Sequence, residues 1–237
     1  MRNEAGLTLF VPVYNEEALV VSHTRRLQAY LKSLGLPYEI IIGSNGSTDR
    51  TVRMARDLCR QDPRIRLFHL PQKGVGRAFK EGVRISRYDR IVTMDMDLSI
   101  HLGFIGEACR LLDQYDMVIG SKITGNQRRA WIRTLASISF IRLAGMLLRI
   151  RFNDYSIAAK GYRKALVQRY LPCLDDQTFY VVQMVYRASR DGKRLTEIPV
   201  ACTDLRGSRF NLIHEGLYKF GNLFWLWLFG LKMKKEE

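Results

Sequence analysis

Ile91-Val92-Thr93-Met94-Asp95-Met96-Asp97-Leu98-Ser99 is an apolar run that ends in two carboxylates spaced i, i+2. Strand side chains alternate between faces, so i and i+2 point the same way. With the strand ending at Met94, Asp95 and Asp97 both reach the space beyond its carboxyl end, where open α/β sheets place their ligand sites. Two hard oxygen ligands there suit Mg²⁺ or Mn²⁺, which keep several waters and also take phosphate oxygens. A strand end followed by an Asp-rich turn accounts for the same residues equally well, so the flanking chain has to decide.

Upstream, Leu7-Thr8-Leu9-Phe10-Val11-Pro12-Val13-Tyr14 predicts a buried first strand, stopped near Pro12. Asn15-Glu16-Glu17 predicts a helix start, with Asn15 as N-cap and acidic residues in the first turn, and Gly35 closes that helix. Strands follow at Glu39-Ile40-Ile41-Ile42 and Ile65–Leu70, separated by Gly43-Ser44-Asn45-Gly46-Ser47-Thr48-Asp49 and a helix. Gln72-Lys73-Gly74-Val75-Gly76-Arg77 is a glycine-containing loop entering a helix, where backbone N–H groups can approach a phosphate and Lys73 and Arg77 add charge. A turn with solvated basic residues is the blander alternative. The alternation of strand and helix predicts a mostly parallel sheet with helices on both faces.

Downstream, a helix from about Leu102 to Gln114 and a strand at Asp116–Gly120 complete that pattern. The chain then becomes basic and apolar together. Trp131 to Phe152 predicts a long helix interrupted by Arg133, Arg142, Arg149 and Arg151, suited either to the core with snorkelling arginines or to a membrane surface. A short strand within Asp154–Arg163, a helix over Leu174–Gly192 and a strand over Arg194–Ala201 follow. Leu217–Leu231 carries Phe and Trp and precedes Lys232, Lys234 and Lys235, the pattern of an interfacial helix; a core helix docked on the sheet is the alternative.

The 237 residues suit one large domain, and 47% hydrophobic with 26% charged residues is a globular composition. The net charge of +15 admits nucleic acid, anionic lipid or phosphorylated small molecules as partners. Cys59, Cys109, Cys173 and Cys202 form no C-x-x-C and are expected as reduced thiols. Met1–Glu4 runs into a strand-like segment rather than a secretory leader, and no uninterrupted apolar run reaches about eighteen residues, so no spanning helix is expected.

The ordered set V-P-V-Y-N-E-E (Val11–Glu17), N-G-S-T-D (Asn45–Asp49), K-G-V-G-R-A-F-K-E-G (Lys73–Gly82) and D-M-D-L-S (Asp95–Ser99) resembles the inverting family 2 glycosyltransferases of GT-A fold. Within them it is most similar to the dolichyl-phosphate mannose synthase and polyprenyl-phosphate glycosyltransferase group. G-S-K (Gly120–Lys122), the Arg133/Ser137 pair, V-Y-R-A (Val185–Ala188), E-I-P-V (Glu197–Val200) and R-G-S-R (Arg206–Arg209) extend the match from about Leu7 to Gly216. The resemblance implies a GT-A, Rossmann-like domain over 1–216, with a nucleotide half (1–120), an acceptor half (121–216), and a C-terminal amphipathic membrane-surface helix with a basic tail (217–237). It implies that Pro12, Tyr14 and Glu16 line a nucleoside pocket, with Ser44 and Asn45 standing where the family carries two aspartates. Lys73 would meet the diphosphate. Asp95 would lie by the nucleotide, Asp97 would bridge through Mg²⁺ or Mn²⁺, and Ser99 occupies a further ligand position. Lys122, Arg133 and Ser137 match acceptor-phosphate positions, and Arg206 and Arg209 a closing loop. Arg133 and Ser137, spaced i, i+4, also share a helix face by geometry alone. Ile157-Ala158-Ala159-Lys160 and Val182-Gln183 depart from the family pattern near the sugar and acceptor.

The expected reaction is hexose transfer from a nucleotide-diphosphate sugar (GDP-Man or a UDP-hexose) to a polyprenyl or dolichyl monophosphate. Asp97, Lys122 and Arg133 are the expected catalytic residues. The expected location is peripheral (monotopic), on the cytoplasmic face of an anionic membrane surface, with no nucleic-acid partner. One rival is a saccharide or protein acceptor, which needs a carboxylate base, with Asp154, Asp175 or Asp176 as candidates. Another is a non-catalytic basic domain that binds membrane or nucleic acid.

Overall fold

The computed structural model describes residues 6–122, 131–203 and 212–230, with side chains from 137 in the second segment and 215 in the third. The elements are β1 (Leu7–Val13), α1 (Val20–Ser33), β2 (Tyr38–Asn45), α2 (Thr51–Gln61), β3 (Ile65–Leu70), α3 (Val75–Ile85), β4 (Arg90–Thr93), α4 (Gly103–Leu111), β5 (Met117–Ser121), α5 (Trp131–Leu148), β6 (Lys160–Arg163), α6 (Lys164–Tyr170), a 3₁₀ turn (Leu171–Cys173), α7 (Tyr180–Arg190), β7 (Leu195–Pro199) and α8 (Leu212–Phe229). One seven-stranded sheet runs β3-β2-β1-β4-β6-β5-β7. All pairs are parallel except those of β6, which lies antiparallel between β4 and β5.

Strand alternation divides the core into two layers. Leu7, Leu9, Val11 and Val13 of β1, Ile40 and Ile42 of β2 and Val92 of β4 face one way, against α1, α2 and α4. Phe10, Ile41, Ile91, Met117 and Ile119 face the other, against α3, α5, α6, α7 and α8. Pro12 fits inside β1 because pairing with β4 ends at Phe10, so its missing N–H would face a strand that has stopped. β1 runs one residue beyond it.

Two helix expectations change, and the third helix takes one of its two stated alternatives. Asn15 is not an N-cap and α1 has no acidic first turn: the helix begins at Val20, after Asn15 turns the chain at φ 52°. Residues 174–179 are loop rather than helix, and α6 is a helix of its own ahead of them. α5 is a docked helix that buries Phe140, Ala144 and Leu148 and exposes Arg142 and Met146. Within the described part of α5, Arg142 is therefore an outward position. Among the described residues all four cysteines are free.

Candidate active site

The two carboxylates stand where expected, just beyond β4, on a turn pinned from every side. Met94 N–H donates to the Phe10 carbonyl at 3.2 Å, and Leu98 N–H to that of Asp95 at 3.2 Å. Met96 is buried in the core, and its carbonyl accepts Nδ1–H of His23 on α1 at 2.7 Å. Ser99 N–H donates to Asp97 Oδ1 at 3.0 Å. Leu98 takes φ 52°, a left-handed conformation costly for a branched side chain, which the surrounding bonds hold. Burial first, and the Asp97 charge second, push the Asp95 carboxyl up to about 6, against an N–H from Ala158 and the charges of Lys160 and Lys122. The two carboxylates thus bear on one region and repel there, the condition a divalent cation relieves. Among the described residues no third His, Cys, Asp or Glu completes a protein cage. The donor set therefore fits Mg²⁺ or Mn²⁺ sharing its shell with water and phosphate oxygens, and does not fit a closed site.

The ends of β1, β2 and β3 are stitched into one floor. Asn15 Oδ1 accepts the N–H groups of Thr48 (2.8 Å) and Asp49 (3.4 Å), and Glu16 N–H donates to Thr51 Oγ1 at 2.8 Å. Asn45 Oδ1 accepts Gly74 N–H at 2.7 Å, and the buried Ser44 hydroxyl bonds His69 Nδ1 at 3.0 Å. Lys73 Nζ lies 3.6 Å above the Tyr14 ring. Tyr14, Ser44, Asn45 and Lys73 are thereby brought together, with half-buried Pro12 and Glu16 at the β1 end. The glycines of the Lys73–Gly82 stretch serve packing. A Cβ on Gly76 would sit 2.2 Å from the Asp175 carbonyl, and Arg77 N–H donates to the Asp176 carbonyl at 3.0 Å. The expected phosphate cradle is thus partly filled by loop 175–177, because the backbone needs the same small residues to pack there.

Lys122 and Asp154 are both buried, with Nζ 3.4 Å from Asp154 Oδ2 and bonded also to the Ser156 hydroxyl. Asp154 Oδ1 accepts the N–H and hydroxyl of Ser156, at 2.8 and 2.9 Å. Lys160 is fully buried beside them, its Nζ on the carbonyls of Ile157 (2.9 Å) and Gly120 (3.4 Å). Burial lowers the Lys160 ammonium to about 8, while Asp154 holds it up. Burial would raise Asp154, but Lys160 and Lys122 more than offset it and hold its carboxyl below the usual range.

The other two candidate bases are also engaged. Asp175 accepts N–H from Gln177 (2.8 Å) and Phe179 (3.1 Å) and the Tyr218 hydroxyl. Asp176 pairs with Arg77 at 3.0 Å and with Lys80. All three carboxylates are already engaged by hydrogen bonds or ion pairs. Ser137 is half-buried on α5, the Arg133 side chain lies outside the described residues, and so do Arg206 and Arg209. His23 carried no motif, and Ser156 and Lys160 lay in stretches compared with the family pattern without being given a role. The one sequence signal was a lone lysine inside the apolar Ile157–Tyr162 run.

Residues 8–217 match the model of glycosyl transferase family 2. The chain belongs to that family. This family 2 chain is 29% identical over 179 residues to an undecaprenyl-phosphate 4-deoxy-4-formamido-L-arabinose transferase of Pseudomonas paraeruginosa, covering 73% of this chain and 51% of that protein. It is 25% identical over 221 residues to glycosyltransferase AglD of Haloferax volcanii, covering 88% and 35%. It thus spans about half, or less, of the length of these curated relatives. Among solved structures it superposes on glucosyl-3-phosphoglycerate synthase of Mycobacterium tuberculosis, in complex with Mn²⁺, UDP and phosphoglyceric acid (TM-score 0.65, 16% identity, 95% of this chain and 78% of that one). It also superposes on S. aureus TarS in complex with UDP-GlcNAc (TM-score 0.60, 14% identity, 97% and 68%). These likenesses establish the expected GT-A fold.

Proposed function

We propose that this chain transfers a hexose from a nucleotide-diphosphate sugar to a polyprenyl monophosphate. The observation that carries the acceptor is the engagement of Asp154, Asp175 and Asp176. A hydroxyl acceptor needs a base, whereas a phosphate monoester is already anionic at neutral pH. The name of the Pseudomonas relative supports the same acceptor class.

In this reading residues 1–120 hold the donor, with Pro12, Tyr14, Glu16, Ser44 and Asn45 around the nucleoside and Lys73 on the diphosphate. Asp95 and Asp97, with Ser99 beside them, would hold Mg²⁺ or Mn²⁺, which when bound would supply positive charge against the leaving diphosphate. Residues 121–216 orient the acceptor, with Lys122, Arg133 and Ser137 on its phosphate and Arg206 and Arg209 closing from the following loop. An acceptor oxygen bonds to the anomeric carbon, and the bond to the diphosphate breaks with its electron pair leaving on the nucleotide. Positioning and charge complementarity do the work. The chain acts as a peripheral protein on the cytoplasmic face of a membrane. In support, no described helix is long and apolar enough to cross one, and α8 leaves Leu217, Trp227 and Leu228 exposed.

Radiolabelled GDP-Man and UDP-hexoses, each supplied with a polyprenyl phosphate, test this. Label is expected in organic-extractable lipid, abolished by EDTA and reduced by about 10² or more in Asp97→Ala. Label that appears only in a water-soluble saccharide overturns the acceptor. Full activity in Asp97→Ala overturns the site.

A further inference from the structure

Between α7, the Leu171–Cys173 turn and α8 lies a cavity of about 410 Å³. Its Arg187 end is set back along α7 from the carboxylate turn. Tyr180, at the start of α7, feels the Asp95 charge, and Arg187 on the cavity lining stands two turns further, about 10 Å along the axis.

Several polar atoms of the lining are already bonded. Gln183 Oε1 accepts Asp175 N–H at 2.6 Å, Asn222 Nδ2 donates to the Tyr218 carbonyl at 2.8 Å, and Asp175 is taken up by its three donors. Arg187 differs. Its Nε is buried with no hydrogen-bond partner, and no carboxylate pairs with its guanidinium among the described residues. Nearby Asp191 is occupied by Arg169 at 3.0 Å and the Tyr170 hydroxyl at 2.7 Å. A part-buried cation without a partner favours an anion. The remaining walls, Pro172, Leu174, Trp225 and Leu226, ask that the anion be carried on an apolar body. Trp225 also belongs to the outward face of α8, beside exposed Phe224 and Leu228, and Lys232, Lys234 and Lys235 follow in the sequence. Exposed Trp and Phe with a basic flank suit an anionic lipid surface.

We propose that Arg187 and this cavity form an accessory site for the phosphate headgroup of an anionic phospholipid, separate from the acceptor site, that orients the enzyme on its membrane. The ligand's source rests on the membrane-surface reading above, but the test needs no glycosyl transfer. Cys173 is a half-buried free thiol on the lining, and Cys59, on α2, is an internal control. Alkylation of both is followed by mass spectrometry in the full chain, with a water-soluble short-chain phosphatidylglycerol, the matching phosphatidylcholine, or inorganic phosphate. Phosphatidylglycerol is expected to slow Cys173 about tenfold at saturation and leave Cys59 unchanged, with little effect from the other two. Arg187→Gln is expected to weaken this protection about tenfold, and Arg187→Lys to retain most of it, a difference that loss of fold would not produce. Equal protection by phosphatidylcholine, or none by phosphatidylglycerol, overturns the site. Protection by inorganic phosphate as strong as by the lipid overturns the phospholipid assignment. Failed glycosyl transfer with intact Cys173 protection overturns the proposed function alone.

Discussion

Beneath Asp95 two buried ammonium groups share one carboxylate, and Asp154 is the residue that balances them. Removing one partner of a buried pair strands the other charge, which costs about 3–5 kcal/mol. Asp154→Ala is therefore expected to lower stability by that amount in a denaturant titration. A catalytic base in the same place would lose turnover with stability unchanged, so the pair of measurements separates the two roles. Asp62 makes the opposite kind of pair, near the surface. The bonds from Arg64 hold its carboxyl at about 2, below the usual 3.8. A depressed carboxylate stabilises the fold above its unfolded pKa and loses that contribution as pH falls through the folded one. Asp62→Asn is expected to cost about 1–2 kcal/mol at pH 7, discounted because Arg64 is 44% exposed, with the deficit shrinking between about pH 4 and pH 2. At this scale the sequence was legible where periodicity alone places a side chain, as for Asp95 and Asp97. It marked Lys160 and Ser156 only as positions in family stretches and gave them no role, because Gly120 and Lys122, which complete their contacts, come from another segment of the chain.

At the scale of elements, β3 was read to the residue because a short, mostly apolar run with turn residues on either side has little competing structure. β6 was blurred for a physical reason. It has four residues, and its strand state is decided by β4 and β5 on either side rather than by its own pattern. The start of α1 was misplaced because Asn15 suits a left-handed turn as well as it suits an N-cap, and its side chain bonds Thr48 and Asp49 across the sheet instead. The glycine-rich entry to α3 was legible as glycine-dependent but not as to what approaches it. Gly76→Ala is expected to push loop 175–177 off α3, costing about 1–3 kcal/mol and weakening the Arg77–Asp176 pair. Gly221→Ala, in an exposed helical position with nothing within 4 Å, should instead stabilise α8 by about 0.5–1 kcal/mol. Thermal melts of the two single variants check the contrast.

Across the whole molecule the proposed nucleotide and acceptor halves share one sheet, since β6 of the second half pairs with β4 of the first. The turn bearing Asp95 and Asp97 therefore sits on a strand clamped between both halves, and the loop that follows Asp154 closes over it. α8 returns to this body by a narrow inner face. Leu223 and Leu226 are buried and Phe220 packs edge-on against Phe140, while Leu217, Trp227 and Leu228 face outward. Its two faces are apolar for different reasons, which explains why Leu217–Leu231 suited both a core helix and an interfacial one. The inner face holds the helix to α5 and the core beneath it, so Leu223→Ala should cost about 2–5 kcal/mol through lost burial and a residual cavity. The outer face makes no comparable packing, so Leu228→Ser should leave the melting temperature within about a degree. If that face meets lipid, the same substitution removes apolar area from the contact and weakens partitioning onto anionic vesicles several-fold. Flotation of wild type and Leu228→Ser with such vesicles decides it. Unchanged partitioning would assign the outer face to something other than a membrane, and a lowered melting temperature would make it part of the core.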